Sequence, residues 1–551
     1  MAEEKKITAE ELSLGLRAIS VAEFFEKNRH LLGFDTLPRA LLTAVKEAVD
    51  NALDACEDAK ILPEIFIQIQ ELGATRYKVI VEDNGPGIVK DKIGQVFGKL
   101  LFGSKFVTFG GKQGRGQQGI GISAAILYSQ LTTGKPARII SKTRANQPAA
   151  VVELKINIKH NEPEIVTQTT IDWPNEHGTR VELELEAKYM EKKASVVEYV
   201  METALVNPHA TIIFIDPTGQ KSEYKRVTDK LPYKPEGVKP HPHGIELGIL
   251  LRMLKESKTR ALKSFLTEEF DRVGAGTAEE ILKTAGLDPK ISPKFLTVEQ
   301  ADALIKSMHG TKVMAPSSDA LSPIGSELLR KTLESEYNLD FAYAVTRQPD
   351  VYRGHSFIIE AAIGYGGELP KEESVKVIRF ANRVPLLYQQ GACGLSKAVI
   401  QVDWKNYGLN QSAGNLPTGP AIIVLHIASV WVPFTSESKD AVNPYPEIVK
   451  EAKLALQEVG REMQLYVGKK FKRELASKKA DMFKLYSIEL AEALESLTGE
   501  KKETIHKQLV KLTDEMMKIG AIEEEEAKEA EEKAKPKRKL GAMRSGEDKD
   551  E

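Results

Sequence analysis

The sequence predicts a multidomain α+β protein, on the evidence of its length and of two regions where helical and strand patterns are mixed. The 551 residues are too many for one hydrophobic core, so three or four domains are expected. Mixed patterning extends from about residue 20 to 230 and again from about residue 315 to 444. A proline- and lysine-rich linker around Pro232–Pro242 and a helical stretch at 243–310 separate the two regions, and helix follows from Pro446 to about residue 519.

The composition is that of an ordinary soluble protein. Hydrophobic residues make up 42% and charged residues 28%, and the formal net charge of -2 argues against a protein that coats nucleic acid. The two cysteines, Cys56 and Cys393, belong to no CxxC pair, which argues against a disulfide framework or a zinc site. The start MAEEKKITAEELS lacks the apolar core of a signal peptide, and no apolar run approaches the ~18 residues that span a bilayer. We therefore expect a cytoplasmic protein with no membrane partner.

A carboxylate and a carboxamide one helical turn apart form the first candidate site. Apolar residues recur with a 3.6-residue period in Pro38–Asp58, and within this helix Glu47 and Asn51 share one face because their spacing is i, i+4. A carboxamide oxygen is a suitable ligand for Mg²⁺, and a nearby carboxylate can take the proton from an attacking water. The alternative is an ordinary amphipathic helix with an exposed polar face.

The second candidate site follows a strand pattern and has the sequence DNGPG (83–87). The carboxylate of Asp83 can accept a hydrogen bond from an exocyclic amine, while Gly85 and Gly87 let a flat ring approach the backbone. The same five residues are also a good turn sequence, which is the alternative interpretation.

A glycine-rich segment before an apolar helix forms the third candidate site. Exposed amides at a helix N-terminus bind anions, and glycines allow phosphate groups to come close. Three of the glycines also match GxGxxG of dinucleotide-binding folds, but the segment follows a polar loop and no acidic residue lies ~20 positions on to bind ribose. Neither GxxxxGKS nor GxxxxGKT occurs, which argues against a P-loop enzyme. The candidate residues are Gly114, Arg115, Gly116, Gln117, Gln118, Gly119, Ile120 and Gly121.

The three candidate sites occur in a characteristic order: an ExxxN helix, then DxGxG after a strand, then GxxGxG before a helix. This order resembles the GHKL ATPase superfamily, which includes gyrase-type topoisomerases, MutL, heat-shock chaperone ATPases and histidine kinases. The resemblance implies ATP and Mg²⁺ as cofactors. It implies that Glu47 is the general base, that Asn51 is the Mg²⁺ ligand and that Asp83 binds adenine N6. The segment Gly114–Gly121 would form the lid over the phosphates, and Thr179 of a Gly-Thr pair would lie beside the adenine pocket.

Longer segments are similar to the family of topoisomerase VI B subunits, over roughly residues 15–470. By this resemblance Ser104 and Lys105 approach the nucleotide, and Lys439 is a second catalytic residue, which reaches from another domain to the γ-phosphate. Without the family pattern, a lysine in a Ser-Glu loop would be interpreted as a solvated surface group. The similar segments are SVAEFFEKNRHLLGFD (20–35), FGKLLFGSKF (97–106), RGQQGIGISAAILYSQLTTGKP (115–136) and VPFTSESKDAV (432–442).

The family resemblance also implies a domain order. It predicts a GHKL (Bergerat-type) α/β sandwich, a helix–two-turns–helix insert, an α/β transducer domain and C-terminal helices that dock a catalytic subunit. The expected boundaries are 1–20 for an N-terminal arm, 21–230 for the ATPase domain, 231–312 for the insert, 313–470 for the transducer, 471–520 for the docking helices and 521–551 for a charged tail without fixed structure.

The expected function is that of the ATP-hydrolysing subunit of a type IIB DNA topoisomerase from an archaeal source. ATP binding would cause self-dimerisation and gate the passage of one DNA duplex through another. An A-type subunit would complete an A2B2 heterotetramer and cut the double-stranded DNA, because no DxD or EGD-type acidic segment lies near a tyrosine in this chain. The alternative is a MutL-like repair clamp, whose phosphate loop usually reads GFRGEAL where this chain has RGQQGIG.

Overall fold

The computed structural model describes residue 13 and residues 18–103, 113–116, 119–191 and 194–515. The chain separates into two compact units, one ending at Met463 and the other beginning at Gln464. The first unit contains two mixed sheets with helices, so the predicted α+β class is confirmed. Within the described ranges, no helix combines the length and the apolar character that crossing a bilayer requires.

An eight-stranded sheet forms the N-terminal part of the first unit. Its order is β5-β4-β3-β6-β2-β1-β7-β8, and all neighbours are antiparallel except β1 and β7. The strands are β1 Glu64–Gly73, β2 Arg76–Asp83, β3 Ala137–Lys142, β4 Ala149–Asn157, β5 Glu162–Ile171, β6 Gly178–Glu186, β7 Thr211–Ile215 and β8 Lys221–Tyr224. The helices that accompany them are α1 Val21–Lys27, α2 Leu37–Asp58, α3 Lys90–Gly98, α4 Gly121–Thr133 and α5 Val196–Val206.

Helix α2 and the sheet share one core because their apolar patterns are complementary. Leu41, Val45 and Val49 recur at helical spacing on α2 and are buried, while Ile65 and Ile67 are buried at alternate positions of β1. Burial of each such side chain stabilises the fold by about 1.5–3 kcal/mol. The same helix therefore holds the first candidate site, Glu47 and Asn51, against the N-terminal sheet.

Four helices with their own hydrophobic core follow this sheet in sequence. They bury Phe265 and Phe270 edge to face, with ring centroids 5.7 Å apart. A capping box, formed by Thr297 and Gln300, begins the last of them. The helices are α6 Leu247–Glu256, α7 Leu262–Glu269, α8 Ala275–Ala285 and α9 Val298–Gly310.

The second sheet has the order β10-β11-β14-β12-β13, with β9 also paired to β11. Every residue of its central strand β14 is buried, which explains the continuous apolar run at this point of the sequence. The strands are β9 Phe341–Thr346, β10 Asp350–Tyr352, β11 His355–Tyr365, β12 Lys376–Ala381, β13 Val384–Pro385 and β14 Ala421–Ser429. The accompanying helices are α10 Ser326–Glu336 and α11 Gly394–Gln401.

Helix α12, Pro446–Thr498, has 53 residues and crosses the boundary between the two units. The sequence predicted helix to about residue 519, and the structure adds a break at Gly499, where φ is 74° and α12 has ended. A left-handed glycine is a common helix terminator because it has no Cβ to clash. Helix resumes at residues 502–515, the last that the structure describes.

Candidate functional site

One cavity of about 350 Å³ brings together residues from all three candidate segments and from the second sheet domain. This volume is within the range of ordinary small-molecule sites, which runs from about 300 to 1,000 Å³. The predicted site residues that line it are Glu47, Asn51, Asp83, Gly87, Gly116, Gly119, Ile120, Gly121, Thr179 and Lys439.

Helix α2 contributes the carboxylate and the carboxamide. Glu47 is only 9% exposed, whereas Asn51 lies in an exposed position of the cavity wall one turn further along. The carboxamide oxygen of Asn51 is therefore accessible to a hydrated cation, and Glu47 is shielded from bulk water. This arrangement suits a Mg²⁺ ligand beside a general base.

The ends of β2 and β6 contribute the second part of the cavity. The register pairs Asp83 with Thr179, and the Asp83 carboxylate accepts hydrogen bonds from the backbone N–H of Gly85 (2.8 Å) and of Thr179 (3.2 Å). Burial nevertheless raises the pKa of Asp83 to about 7. A Cβ on Gly178 would lie 2.1 Å from the carbonyl oxygen of Asp83, so this contact requires glycine. Gly85 was also predicted to bind the cofactor, but it is not among the residues that line the cavity. Its N–H instead holds the Asp83 carboxylate in place.

The glycine-rich segment leads into the N-terminus of α4, where free backbone N–H groups favour anions. Gly116, Gly119 and Gly121 line the cavity here, and a Cβ on Gly121 would lie 1.7 Å from Oε2 of Glu47. The glycine therefore makes room for the carboxylate. Four predicted site residues lie outside the described part of the chain, so their roles stay predictions: Ser104, Lys105, Gln117 and Gln118.

The side chain of Arg115, a predicted site residue, points away from the cavity and is not part of its lining. Its guanidinium forms buried ion pairs with Asp54 and Glu57, each at 2.7 Å, and donates a hydrogen bond to Asn207 at 2.5 Å. Burial would lower the pKa of Arg115, but the two carboxylates outweigh burial and raise this pKa above its usual range. Burial would likewise raise the pKa of Glu57, but the guanidinium of Arg115 lowers it. Arg115 thus anchors the base of the segment, next to Gly114, which is likewise not part of the lining.

Lys439 reaches the same cavity from the loop after β14. Its Nζ lies 3.6 Å from Oε1 of Glu47, and the side chain is 8% exposed. Burial would lower the pKa of Lys439, but the carboxylates of Glu47 and Asp50 outweigh burial and raise it. The lysine is therefore a permanent cation next to the expected position of the terminal phosphate.

Comparisons with known proteins agree with this geometry. Residues 36–188 match the family described as "Histidine kinase-, DNA gyrase B-, and HSP90-like ATPase", and residues 316–479 match "Topoisomerase VI B subunit, transducer". The B subunit of Type 2 DNA topoisomerase 6 from Methanococcoides burtonii is 53% identical over 462 residues, which are 84% of this chain and 74% of that protein. The chain belongs to the family of type 2 DNA topoisomerase 6 B subunits.

Further members of this family are similarly close. The B subunit from Methanosarcina barkeri is 52% identical over 84% of this chain and 74% of its own length, and that from Archaeoglobus fulgidus is 52% identical over 82% and 75%. The predicted identity is thus confirmed: the chain is the ATP-dependent B subunit of a type IIB topoisomerase, and a MutL-like repair clamp is not favoured.

Several residues of this topoisomerase VI site were not identified from the sequence. Arg39 donates to Ser438 Oγ at 3.0 Å and pairs with Asp440, which fixes the loop on both sides of Lys439. Lys46 adds a hydrogen bond to the carbonyl oxygen of Ser438 at 3.3 Å. Arg39 stands eight residues, or about two helical turns, before Glu47, so its position on the same face of α2 was a usable signal.

Asp50 was also not identified, and it is fully enclosed between the two domains of the first unit. It accepts a hydrogen bond from the Tyr199 hydroxyl at 3.1 Å, while its Oδ2 has no hydrogen-bond partner among the described residues. Burial raises the pKa of Asp50 to about 6, although the charge of Lys439 partly offsets this. Asp50 gave no sequence signal, because an aspartate on an amphipathic helix is ordinarily exposed.

Proposed function

We propose that the chain binds and hydrolyses Mg·ATP in the cavity between α2, the end of β2 and the start of α4. The observation that carries the proposal is the position of Lys439, a residue of the second domain, 3.6 Å from Glu47 inside a cavity formed mostly by the first domain. A nucleotide in this cavity touches both domains at once. Its γ-phosphate can therefore control their relative position.

The adenine would lie against the Asp83 end of the cavity and the phosphates against the start of α4. The Asp83 carboxylate accepts a hydrogen bond from the exocyclic amine, which fixes the ring. The backbone N–H groups of Gly119 to Gly121 bind phosphate oxygens, since they lie at a helix N-terminus. Asn51, with phosphate oxygens and water, holds Mg²⁺, which neutralises phosphate charge when bound.

Hydrolysis requires a base for the attacking water, and Glu47 is placed to act as that base. Its carboxylate takes one proton as the water oxygen bonds to the γ-phosphorus and the bond to the β,γ-bridging oxygen breaks, which leaves ADP and phosphate. Lys439 stabilises the negative charge that develops on the γ-phosphate oxygens. The shielded position of Glu47 favours this reaction because bulk water is excluded.

Lys439 would also link the nucleotide state to the second domain. With ATP bound, the γ-phosphate replaces Glu47 as the main counter-charge of the lysine, and after phosphate release this attraction is lost. We propose that two ATP-bound chains dimerise and thereby close a gate around double-stranded DNA. Hydrolysis reopens the gate once a duplex has passed.

The A-type catalytic subunit is proposed to dock on the helices after Gly468, in an A2B2 heterotetramer. Apolar residues recur in two parts of α12, which we call its first and second stripes: Leu454, Leu456, Val459, Met463 and Val467, and then Leu485, Ile488, Leu490, Leu494 and Leu497. The structure distinguishes these two stripes. The first is largely internal, because Leu456, Val459 and Met463 are fully buried. The side chains of the second stripe are largely exposed to solvent: Leu485 is 67% and Leu497 82% exposed. Exposed apolar side chains in such number are typical of a protein interface.

Truncation after Gly468 tests the docking proposal. The shortened chain is expected to keep its ATPase activity, since every described residue of the cavity precedes the cut, and to lose co-purification with the catalytic subunit. Undiminished association would place the dock elsewhere. DNA cleavage by the purified full-length chain alone would contradict the two-subunit arrangement.

Size-exclusion chromatography with a non-hydrolysable ATP analogue, with and without DNA, tests the ATP clamp itself. The full chain is expected to shift to a dimer on addition of the analogue. Asn51→Ala is the matched variant, because it removes the Mg²⁺ ligand but leaves the packing of α2 intact at an exposed position. A dimer that forms equally without nucleotide, or equally in Asn51→Ala, would contradict the proposal.

A further inference from the structure

The base of the phosphate-binding segment is held by the second domain as well as by α2. The backbone N–H of Gln113 donates to the carbonyl oxygen of Ala320 at 2.9 Å. The Gln113 carboxamide makes two further hydrogen bonds to the backbone of Ser322, accepting from its N–H at 2.7 Å and donating to its oxygen at 3.3 Å. Gln113 is thus fixed to the second domain through its backbone and its side chain, immediately before Gly114.

The next residue of the segment is held by a tight turn between β12 and β13. The Asn382 carboxamide donates to the carbonyl oxygen of Gly114 at 2.9 Å and to that of Ser429 at 2.9 Å, and its oxygen accepts from the Ser429 N–H at 2.8 Å. Ser429 is the last residue of β14, and the chain leads from there to Lys439. One side chain therefore joins the phosphate-binding segment to the strand that carries the lysine loop.

The backbone conformation of this turn is unfavourable for one of its two residues. Asn382 and Arg383 both have positive φ, 49° and 65°, as a two-residue hairpin turn of type I′ requires. Asparagine tolerates this conformation, but arginine at the second position is disfavoured, and glycine is the usual residue there. A strained conformation persists only where surrounding contacts enforce it.

Buried contacts enforce this conformation. The Arg383 N–H donates to Nε2 of His426 at 3.0 Å, so the other ring nitrogen carries the proton and donates to Glu360 at 2.8 Å. Glu360 and His426 are both fully buried, and Glu360 also accepts from the backbone N–H groups of Ile324 and Gly325, each at 2.8 Å. The turn is therefore part of the buried interior of the second domain.

We propose that Asn382 is a positioning residue that transmits movement of the phosphate-binding segment to β14, by a route separate from the contact of Lys439 with the nucleotide. The inference rests on the proposed function, since it assumes that nucleotide binds next to Gly116–Gly121. Nucleotide that binds next to Gly116 and Gly119 holds Gly114 in place, and through Asn382 it holds the end of β14. The two routes meet at the end of β14, because Asn382 contacts Ser429 and the chain leads from Ser429 to Lys439.

Hydrogen exchange of the backbone amides at 382–384, 386 and 427–431 tests the proposal, measured with and without a non-hydrolysable ATP analogue. The full chain and Lys439→Ala are both expected to show slower exchange at these amides when the analogue is bound. In Asn382→Gly the nucleotide-dependent protection is expected to fall roughly fivefold, the factor for one net hydrogen bond. Glycine suits the comparison because it keeps the positive φ and removes only the carboxamide.

Two further variants keep the test decisive. Lys60→Gly relieves a positive φ of 61° at an exposed position and is expected to leave the protection unchanged. If Asn382→Gly does not fold, Asn382→Asp keeps the acceptor for the Ser429 N–H but loses the donor to Gly114, and it is expected to give the same loss. If Asn382→Gly folds, binds the analogue and keeps the full nucleotide-dependent protection, the inference about Asn382 is wrong while the proposed function stands. Failure of the wild-type chain to bind the analogue overturns the proposed function, and the inference with it.

Discussion

Gly121→Ala is expected to slow ATP hydrolysis strongly while the chain stays folded. Gly121 begins α4 without a positive φ, so alanine can adopt its backbone conformation. The added Cβ would lie 1.7 Å from Oε2 and 2.4 Å from Cδ of Glu47. Carbon–oxygen contacts in proteins begin near about 3.3 Å, so the carboxylate has to move by about 1.5 Å.

This displacement costs catalysis much more than stability. The end of the Glu47 side chain can rotate away from the new methyl group, so the free energy of unfolding is expected to change by less than about 1 kcal/mol. A misplacement of about 1 Å at a reacting group costs on the order of 10²-fold in rate. We therefore expect kcat to fall by at least about 10²-fold, while affinity for the analogue stays within about tenfold because a general base contributes little to ground-state binding.

Steady-state phosphate release, analogue binding and thermal unfolding measure the three quantities. Glu47→Ala gives the rate without any base, which Gly121→Ala should approach. Gly276→Ala is the matched control, since this glycine also lies in the first turn of a helix but has no neighbouring atom within 4 Å of an added Cβ. Wild-type turnover in Gly121→Ala would refute the assignment of Glu47 as the base in this geometry.

The remaining predictions concern three other residues. Lys439→Ala is expected to reduce turnover and ATP-driven dimerisation more than analogue binding, and normal dimerisation on a sizing column would contradict the coupling. Arg115→Met leaves Asp54 and Glu57 without their buried cation and is expected to lower the free energy of unfolding in urea by about 3–5 kcal/mol. Analogue affinity is expected to fall as pH drops through about 7, where Asp83 gains a proton, and Asp83→Asn should lose this component. The same raised pKa means that Asp83 contributes most to stability at low pH and that this contribution is lost as pH rises through about 7.

The part of the candidate site that lies in the first domain was predictable because its components are local. Glu47 and Asn51 meet on one face through helical spacing alone, and the glycines before α4 indicate an anion site through backbone geometry alone. Asp83 stands at the end of a strand whose pattern is visible in the sequence. The order of these segments along the chain was enough to indicate the superfamily, and the comparisons confirmed the family.

Tertiary structure alone decided the roles that depend on distant residues. Lys439 and Glu47 are 392 residues apart, and no periodicity records that a loop of the second domain is buried against α2. Arg115 belongs to the glycine-rich segment, yet its side chain pairs with Asp54 and Glu57 because the fold brings the C-terminal end of α2 against this segment. The two stripes of α12 look alike in sequence, and only packing shows that Met463 is buried while Leu485 is exposed. Sequence patterns record interactions between near neighbours, whereas burial and ion pairing depend on which surfaces the folded domains bring together.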